Sequence, residues 1–216
     1  FVPALNNLGA VLIEQGEYGE ARRILEQACR DAVRWQGRDI VVAVNLSPIQ
    51  FRNPRLVEEV RSALQDSGLD PKHLELEITE SAVLGDVSAT VAVLDQLKEL
   101  GVRLAIDDIG TGYSNLSHLK HFNVDVLKID QSFIRGGHPT TENLCDGPIV
   151  EAVIAMARAF GLHVVAEGVE TQQHASQLHD LGADLGQGYY FSKPVAADRI
   201  DELIAAEIAK ESANTP

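Results

Sequence analysis

The sequence predicts an α/β fold whose sheet is mostly parallel, and three observations support this prediction. After about residue 38, short apolar runs rich in β-branched residues alternate with longer stretches of helical periodicity, as in proteins built from βα units. Glycines separate the helical stretches from the apolar runs that follow them. Each apolar run ends in or beside a polar residue. The predicted strands are 40–46, 73–79, 102–107, 124–130, 163–168 and 183–191.

Five helical stretches follow the predicted strands. They are 54–66, 87–100, 148–160, 171–181 and 196–210. Gly68, Gly101, Gly161 and Gly182 stand after the first four of them, where helices commonly end in a left-handed residue. The segment 136–148 is rich in Gly, Pro, Thr and Asn, and this composition predicts a loop.

The first 36 residues have a different pattern, which predicts a helical hairpin. Residues 4–30 contain no predicted strand, and their leucines and alanines recur at helical spacing around a turn at Gly16. The pattern resembles one tetratricopeptide repeat, and a single repeat cannot bury its own apolar face. We therefore predict a hairpin over 1–36 that packs on, or precedes, a main domain over 37–216. The alternative is the last repeat of a longer array.

The bulk composition excludes several classes of protein. The chain has 216 residues, of which 45% are hydrophobic and 23% charged, as expected for a globular domain. A net charge of −14 argues against binding to a nucleic-acid polymer, because no basic stripe is present to release phosphate counterions. No apolar run approaches the roughly 20 residues that span a bilayer. The two cysteines form no disulfide framework, so we expect a cytoplasmic protein.

The start of the chain is unusual. Residue 1 is Phe1, and the only methionine is Met156. No secretory signal pattern stands at the beginning. The sequence is therefore expected to be a fragment or a processed form.

The polar residues at the strand ends predict a cation-binding pocket. In a barrel of parallel strands, the side chains at the C-terminal ends converge on one pocket. The residues at these ends are Asn45, Glu77, Asp107, Asp108, Lys128, Asp130, Glu167 and Gln187. The adjacent carboxylates of Asp107 and Asp108 repel each other, and either a raised pKa or a bound cation relieves the repulsion. Because the ligands are oxygens, Mg²⁺ or Mn²⁺ is expected.

Two kinds of chemistry fit such a pocket. Two ions roughly 3.5–4 Å apart suit in-line displacement at phosphorus. Parallel-barrel lyases and racemases also place Asp and Glu around Mg²⁺, so the residues alone favour phosphoester hydrolysis only slightly over enolate chemistry. The Gly-Thr-Gly stretch after the aspartates predicts a loop whose backbone approaches a ligand or moves.

Six motifs resemble those of the EAL domains, which are bacterial phosphodiesterases that linearise cyclic di-GMP. The motifs are NLSPIQF (45–51), LELEITES (74–81), DDIGTGYSNL (107–116), VDVLKIDQSFI (124–134), VVAEGVET (164–171) and QGYYFSKP (187–194). They occur in the order of the family. The resemblance implies a TIM-like (β/α) barrel, two Mg²⁺ or Mn²⁺ ions, and cleavage of one 3′–5′ phosphodiester of cyclic di-GMP.

The resemblance also implies roles for the matched residues. Five of them resemble metal ligands, namely Asn45, Glu77, Asp107, Asp108 and Glu167, with Asp107 as the bridge. Lys128 resembles the catalytic group that orients or deprotonates the attacking water, and Asp108 and Glu167 are counted with it as catalytic. A base role for Lys128 requires a lowered pKa, and charge stabilisation is the alternative. Residues resembling loop-anchoring or ligand-supporting groups are Glu80, Gly110, Thr111, Gly112, Glu170 and Gln187.

The chain also departs from the family pattern. The family takes its name from a Glu-Ala-Leu on the first barrel strand, whose Glu ligates metal, and an Arg shortly after it contacts the ligand phosphate. This chain contains neither, so the barrel is expected to lack its first strand and to have open edges beside 40–46 and 183–191. Ile109 stands in place of a usual Phe, and Gln131 in place of a usual Arg.

Three functions remain open. The first is cyclic di-GMP hydrolysis by part of an active phosphodiesterase. The second is a catalytically impaired domain that binds cyclic di-GMP or a protein partner. The third is a Mg²⁺-dependent lyase, which the ordered motifs make remote. The open edges further suggest a homodimer, and the family context suggests an upstream sensory or repeat module.

Overall fold

The computed structural model of the chain describes residues 2–3, 18–38, 40–83, 87–109, 116–135 and 145–214. Its parallel strands are β1 (Val2–Pro3), β2 (Val42–Leu46), β3 (Leu74–Thr79), β4 (Arg103–Ile109), β5 (Val126–Ile129), β6 (His163–Ala166) and β7 (Leu185–Gly186). Its α-helices are α1 (Tyr18–Ala32), α2 (Pro48–Phe51), α3 (Leu56–Ser67), α4 (Glu80–Val83), α5 (Val87–Glu99), α6 (Gln131–Arg135), α7 (Gly147–Phe160), α8 (Gln172–Leu181) and α9 (Ala197–Asn214).

The strand order is that of an open TIM-like barrel, as predicted. It runs β1-β7-β6-β5-β4-β3-β2, so strands consecutive in the chain are neighbours from β2 to β7. The predicted open edge beside 183–191 is wrong, because Val2 and Pro3 pair in parallel with Leu185 and Gly186. Within the described residues β2 pairs only with β3, so the edge predicted beside 40–46 is open.

Side chains alternate between the two faces of each strand, and the face toward the helices is apolar. Leu76, Ile106 and Leu127 face the helices, are fully buried, and belong to one large cluster that joins the sheet to the helical layer. A smaller cluster on the inner face consists of Ala105, Val126, Val165 and Leu185. Burial on both faces is what a parallel sheet covered by helices requires.

Two aspartates connect neighbouring strands at their N-terminal ends. Asp125, just before β5, accepts a hydrogen bond of 2.8 Å from the backbone N–H of Leu104 in β4. Asp184, just before β7, accepts one of 2.7 Å from the N–H of Val164 in β6. Lys98 donates to both oxygens of Asp125 at 2.8 Å. These bonds satisfy backbone donors at the point where the parallel ladder begins.

The helical layer connects the early and late parts of the chain. Trp35 is 2% exposed and donates from Nε1 to Asp201 Oδ1 of α9 at 2.5 Å. Arg34 forms ion pairs with Asp198 and Asp201 at 3.5 and 3.6 Å, and it lies 5.0 Å from the centre of the Trp35 ring. A segment just before β2 therefore contacts the helix that follows β7.

The predicted strand at 183–191 is mostly wrong, whereas the other predicted strands and helices lie within a few residues of the observed ones. Strand β7 ends at Gly186, and the chain then turns. In this turn Phe191 and Ser192 donate backbone hydrogen bonds to Gly188 O at 3.0 and 3.3 Å. The apolar residues of the predicted strand continue into this turn, but the backbone bonds within the turn replace those of a ladder.

The first arm and the turn of the predicted N-terminal hairpin lie outside the described residues. Its second arm is α1, whose buried Leu25 and Cys29 belong to the main core. The boundary between 1–36 and 37–216 stays a prediction.

None of the helices within the described ranges combines the length and the apolar character needed to cross a bilayer. The longest of them, α9, carries three acidic residues and one arginine within its first six positions.

Candidate functional site

A layer of polar side chains lies at the C-terminal ends of the strands, on the inner face of the sheet. It contains Asn45 in β2, Glu77 in β3, Asp107 in β4 and Lys128 in β5, then Glu167 and Gln187 directly after β6 and β7. The residue two positions earlier in each strand faces the same way. Those earlier residues are Ala43, Glu75, Ala105, Val126, Val165 and Leu185. We call the first set the upper layer and the second set the lower layer.

Lys128 lies at the centre of the upper layer. Its side chain is 2% exposed, and Nζ lies 2.5 Å from Glu167 Oε1, 2.7 Å from Glu77 Oε1 and 3.7 Å from Asp107 Oδ1. One ammonium group therefore faces three carboxylates. If all three carboxylates are ionised, the cluster is net negative, and burying uncompensated charge is costly. Protonation or a further cation must relieve this excess.

The surroundings of Lys128 act on its pKa in opposite directions. Burial lowers the pKa because the ammonium loses water, but the carboxylates of Glu77, Glu167 and Asp107 raise it and prevail. The net pKa lies above that of an ordinary lysine. These carboxylates alone therefore favour a protonated, charge-stabilising Lys128 over the base role.

Glu77 connects Lys128 to the edge strand. It is 3% exposed, and burial raises its pKa while Lys128 opposes the shift. Its Oε1 lies within ion-pair distance of Lys128 but outside hydrogen-bond geometry, so we describe the contact as an ion pair. Asn45 donates from Nδ2 to Glu77 Oε2 at 2.9 Å. This bond orients the amide and leaves its oxygen available as a ligand.

Glu167 is the second carboxylate bound to Lys128. Burial raises the pKa of Glu167 to about 7, with Lys128 opposing and Asp107 adding to the shift. The next residue, Gly168, has φ 69°, and a Cβ there would lie 2.5 Å from Gln131 Cβ. Both the backbone conformation and the lack of space therefore require glycine directly after Glu167.

Asp107 and Asp108 lie at an irregularity of β4, where the register with β5 shifts. Asp108 has φ 61° and is the sole non-glycine residue with a positive φ in the described ranges. Its N–H donates to Asp107 Oδ1 at 2.9 Å. A bulge re-aims a side chain that a regular strand would turn to the other face. Burial is the largest cause of the raised pKa of Asp108, and the charge of Asp107 is the next largest. The two aspartates therefore interact electrostatically.

Gln187 and Glu170 lie at the rim of the upper layer. Gln187 Oε1 is buried and has no hydrogen-bond partner within the described residues. Glu170 forms an ion pair of 2.5 Å with Arg135, a residue that the sequence did not single out. Its backbone N–H also approaches His174 Nδ1 at 3.4 Å. The carboxylate of Glu170 is therefore engaged outside the cluster around Lys128.

Glu80 begins α4 and is 6% exposed. Its charge adds to the raised pKa of Asp108. The glycine-bearing loop that Glu80 is predicted to anchor, with Gly110, Thr111 and Gly112, lies outside the described residues. Asp130 accepts a hydrogen bond of 2.9 Å from the N–H of Ser132.

Glu75 is a buried acid of the lower layer that sequence reasoning missed. It is 4% exposed, and its Oε2 lies 3.5 Å from Arg103 Nε. Burial raises the pKa of Glu75, and Arg103 opposes the shift. The period-two spacing of Glu75 and Glu77 places both acids on the inner face, and this signal would have identified it.

The comparison with known families decides what kind of domain this is. The profile described as "EAL domain" matches residues 19–194. The chain belongs to the EAL domain family. It is 38% identical over 208 residues to the bifunctional diguanylate cyclase/cyclic di-GMP phosphodiesterase MucR of Pseudomonas aeruginosa, covering 95% of this chain and 29% of MucR. It is 42% identical over 186 residues to the cyclic di-GMP phosphodiesterase NbdA of that organism, covering 85% of this chain and 23% of NbdA. The EAL chain thus spans less than a third of these curated relatives.

Solved EAL-domain structures share the fold. The EAL domain of Mycobacterium smegmatis DcpA has a TM-score of 0.79 at 44% identity, covering 86% of this chain and 84% of that one. The PaMucR phosphodiesterase in complex with c-di-GMP has a TM-score of 0.77 at 40% identity, covering 84% and 79%. Klebsiella pneumoniae BlrP1 with manganese and c-di-GMP has a TM-score of 0.70 at 33% identity, covering 81% and 44%. A calcium complex of BlrP1 matches equally well.

The upper layer of this EAL domain fits a divalent cation by its chemistry. Its donors are carboxylate and amide oxygens, which are hard ligands. Burial is the main reason why the pKa values of Glu77, Asp108 and Glu167 are all raised, and the charge of Asp107 adds to each shift. In the part of the chain that the structure describes, no three acids, histidines or cysteines are already arranged as a metal site. Lys128 lies between the carboxylates instead.

Proposed function

We propose that this EAL domain hydrolyses cyclic di-GMP to the linear dinucleotide in a reaction that depends on Mg²⁺ or Mn²⁺. The observation that carries the proposal is the meeting of Glu77, Asp107, Lys128 and Glu167 at the C-terminal ends of parallel strands. That end of a parallel barrel is where the chemistry of such folds takes place. Identities of 38% and 42% to proteins named cyclic di-GMP phosphodiesterases support the choice of substrate.

The metal ligands in this proposal are oxygens of the upper layer and its neighbour, namely Asn45, Glu77, Asp107, Asp108 and Glu167. Divalent ions bound there would lower the pKa of water and offset the charge on the phosphoryl oxygens. The excess of buried carboxylate over ammonium charge supports this assignment. The bridging role of Asp107 stays a prediction.

Lys128 has the role of a fixed positive charge in this proposal. Its ammonium group donates hydrogen bonds and accepts none, so Nζ orients a water oxygen or a phosphate oxygen. Glu77 and Glu167 hold the ammonium in place at 2.7 and 2.5 Å. Charge placed in advance where negative charge develops is an effective form of catalysis. The raised pKa supports this role over that of a base.

A second function, binding of cyclic di-GMP without hydrolysis, is favoured by one observation. Lys128 Nζ contacts two of the proposed ligands, Glu77 and Glu167, and therefore competes with a cation for the same oxygens. If the ammonium keeps this position, Lys128 remains a hydrogen-bond donor for a phosphate oxygen, but the carboxylates bind no metal ions. The domain would then act as a receptor.

The first experiment incubates the 216-residue chain with cyclic di-GMP and Mg²⁺ or Mn²⁺ and follows the linear dinucleotide by chromatography. Glu77→Gln removes one upper-layer charge, and Glu75→Gln is its matched control because it removes a buried charge two residues earlier in β3. We expect metal-dependent product, a loss of about 100-fold or more in Glu77→Gln, and activity near wild type in Glu75→Gln.

Other outcomes separate the two functions. Calorimetric binding of cyclic di-GMP with no product in either metal would support the receptor function. A chain that is folded by circular dichroism but neither binds nor cleaves cyclic di-GMP would contradict both. Equal activity of Glu77→Gln and Glu75→Gln would contradict the proposed ligand set.

Location and assembly are finer parts of the proposal. We place the domain in the cytoplasm, where the buried, unpaired thiols of Cys29 and Cys145 would stay reduced. The open edge of β2 offers backbone groups to a second copy, so a homodimer is proposed. Light scattering at high protein concentration tests it, and a monomer throughout would contradict it.

A further inference from the structure

Two exposed tyrosines stand side by side next to the upper layer. Tyr189 is 57% exposed and Tyr190 is 43% exposed, and both follow Gln187 at the end of β7. Single exposed apolar residues are common, whereas adjacent large ones near a pocket often mark a ligand or partner site. Their position on the C-terminal side of the strands places them at the functional end of the barrel.

Backbone hydrogen bonds hold this tyrosine pair beside the segment that carries Glu167. The N–H of Val169 donates to Gln187 O at 3.0 Å, and the N–H of Tyr190 donates back to Val169 O at 3.0 Å. The two segments therefore run side by side. Glu167 lies in one of them and Tyr189 in the other, so the backbone of Tyr189 lies beside the segment that follows Glu167.

The tyrosine turn is also rigid. A Cβ at Gly188 would overlap the backbone of Val169, so the two segments are in close contact there. The ring of Tyr190 packs edge to face against Phe191, with centroids 5.1 Å apart and planes at 69°. Tyr189, in contrast, makes no ring contact with another described residue. An exposed ring on a rigid backbone loses little freedom when it binds a ligand.

We propose that Tyr189 is the platform on which a purine base of the cyclic dinucleotide stacks. This inference rests on the proposed function and adds a residue that determines ligand specificity. The cluster around Lys128 suits a phosphodiester, and the base attached to that phosphodiester through ribose extends toward the rim. Every nucleobase has a flat π face that stacks on an aromatic ring. Tyr189 provides such a ring, with Tyr190 and Phe191 supporting the turn behind it.

The test compares ligands with and without a base. GMP and ribose 5-phosphate share a sugar and a phosphate, but only GMP carries a purine. Calorimetry in the presence of Ca²⁺ measures the affinities of GMP, ribose 5-phosphate and cyclic di-GMP. The proteins compared are wild type, Tyr189→Ala and Tyr189→Phe. Removing one stacking contact weakens binding by about 5- to 150-fold. We expect that loss for GMP and cyclic di-GMP in Tyr189→Ala, unchanged binding of ribose 5-phosphate, and wild-type affinity in Tyr189→Phe.

A matched control removes an exposed ring elsewhere. Phe160 is 44% exposed at the end of α7, which leads to the N-terminal end of β6 and thus to the opposite end of the barrel. Phe160→Ala should leave all three affinities unchanged. In turnover with Mg²⁺ or Mn²⁺, Tyr189→Ala should raise the KM for cyclic di-GMP and leave kcat within about twofold of wild type, because the ring contacts the base and not the phosphate.

Three outcomes contradict the inference, and they differ in what they say about the proposed function. If Tyr189→Ala binds GMP and cyclic di-GMP as wild type does while hydrolysis proceeds, the stacking contact is wrong and the proposed function stands. If Tyr189→Ala weakens the binding of ribose 5-phosphate as much as that of GMP, the ring affects the shape of the pocket and does not contact a base. If wild type neither binds nor cleaves cyclic di-GMP, the inference fails together with the proposed function.

Discussion

The two inner layers of the barrel differ in chemistry on three neighbouring strands, β4 to β6, although they lie two residues apart. Ala105, Val126 and Val165 of the lower layer are followed two positions later by Asp107, Lys128 and Glu167 of the upper layer. Burial of the lower layer removes apolar surface from water and stabilises the fold. Burial of the upper layer strips water from charges and raises carboxylate pKa values, which costs stability. The same strands thus pack the barrel at one level and hold reactive groups at the next.

Strand β3 breaks this rule and sharpens the comparison. Its lower-layer residue is Glu75, paired with Arg103 at 3.5 Å. Arg103 is partly exposed at the start of β4, so this charge has both a partner and access to water. The acid of the lower layer is therefore paired with an arginine at the start of the neighbouring strand β4.

The largest expected effect is that of a charge placed in the apolar part of the lower layer. Val165 is 3% exposed and packs in the apolar inner cluster, and its neighbour in β5, Lys128, already contacts Glu77 and Glu167. Val165→Asp therefore buries a further carboxylate, and shifts of 3–5 pKa units for buried carboxylates correspond to about 4–7 kcal/mol. That is most of the stability of an ordinary domain. Urea unfolding followed by circular dichroism should show a largely unfolded chain.

The control for this change is Val165→Ala, which removes the same methyl groups without adding charge. It should cost about 1–3 kcal/mol. If the two variants differ by less than about 1 kcal/mol in the free energy of unfolding, water reaches the lower layer and solvates the introduced carboxylate.

The next largest effect is expected when the positive charge is removed from the upper layer. Lys128→Met keeps most of the unbranched side chain but leaves Glu77, Glu167 and Asp107 without their ammonium. Removing one partner of a buried ion pair costs about 3–5 kcal/mol. Urea unfolding in the presence of a chelator measures this loss, and hydrolysis of cyclic di-GMP should fall by about 100-fold or more.

An exposed lysine provides the matched control. Lys72 pairs with Asp70 at 2.8 Å, but its side chain is 67% exposed. Lys72→Met should change stability by less than about 1 kcal/mol. The double variant Lys128→Met/Glu77→Gln should recover part of the stability lost in Lys128→Met, and strict additivity of the two changes would contradict the ion-pair network.

A smaller effect is expected from pH in the metal-free chain. The pKa of Glu167 is about 7 when folded, against an ordinary value of 4.5, so the folded state binds this proton more tightly than the unfolded state. Its contribution to stability is complete below about pH 4.5 and is lost as pH rises through 7. The loss is at most roughly 3 kcal/mol. Thermal unfolding between pH 5 and 8 in a chelator measures it.

Glu167→Gln tests the assignment of that pH effect. The variant has no proton to lose at residue 167, so its stability should vary less between pH 5 and 8 than that of wild type. The same slope in both proteins would show that another group causes it.

The smallest effect concerns the turn that holds the tyrosines. Gly188→Ala places a Cβ against the backbone of Val169, and forced overlap of this kind costs about 1–3 kcal/mol. Gly147→Ala is the control, because a Cβ there meets nothing within 4 Å, and it should change stability by less than about 1 kcal/mol. Thermal unfolding compares the two. A Gly188→Ala variant as stable as Gly147→Ala would contradict the close contact.

Much of the upper layer could be predicted from the sequence because its residues end apolar strands within recognisable motifs. Two facts were enough to predict Asn45, Glu77 and Lys128, namely where the strands end and that parallel strands converge at that end. The ends of two helices could also be predicted, because glycines with positive φ follow α3 and α7.

Other features depend on tertiary contacts that a sequence does not display. The left-handed Asp108 and the register shift beside it result from pairing with β5, and local propensity disfavours that conformation for a residue other than glycine. The early end of β7 follows from the contact of Gly188 with Val169. The direction of the pKa shift of Lys128 could not be predicted without the distances from Nζ to its carboxylates.

The contact between Trp35 and Asp201 has a consequence for the order of events during synthesis. The indole and its acceptor are separated by 166 positions, so the bond cannot form until the ribosome has delivered the start of α9. The pairing of Val2 with Leu185 has a similar delay. Contacts of such long sequence separation slow folding, because the intervening chain must first lose entropy. A nascent chain that ends before residue 185 would therefore expose the inner faces of its strands to chaperones.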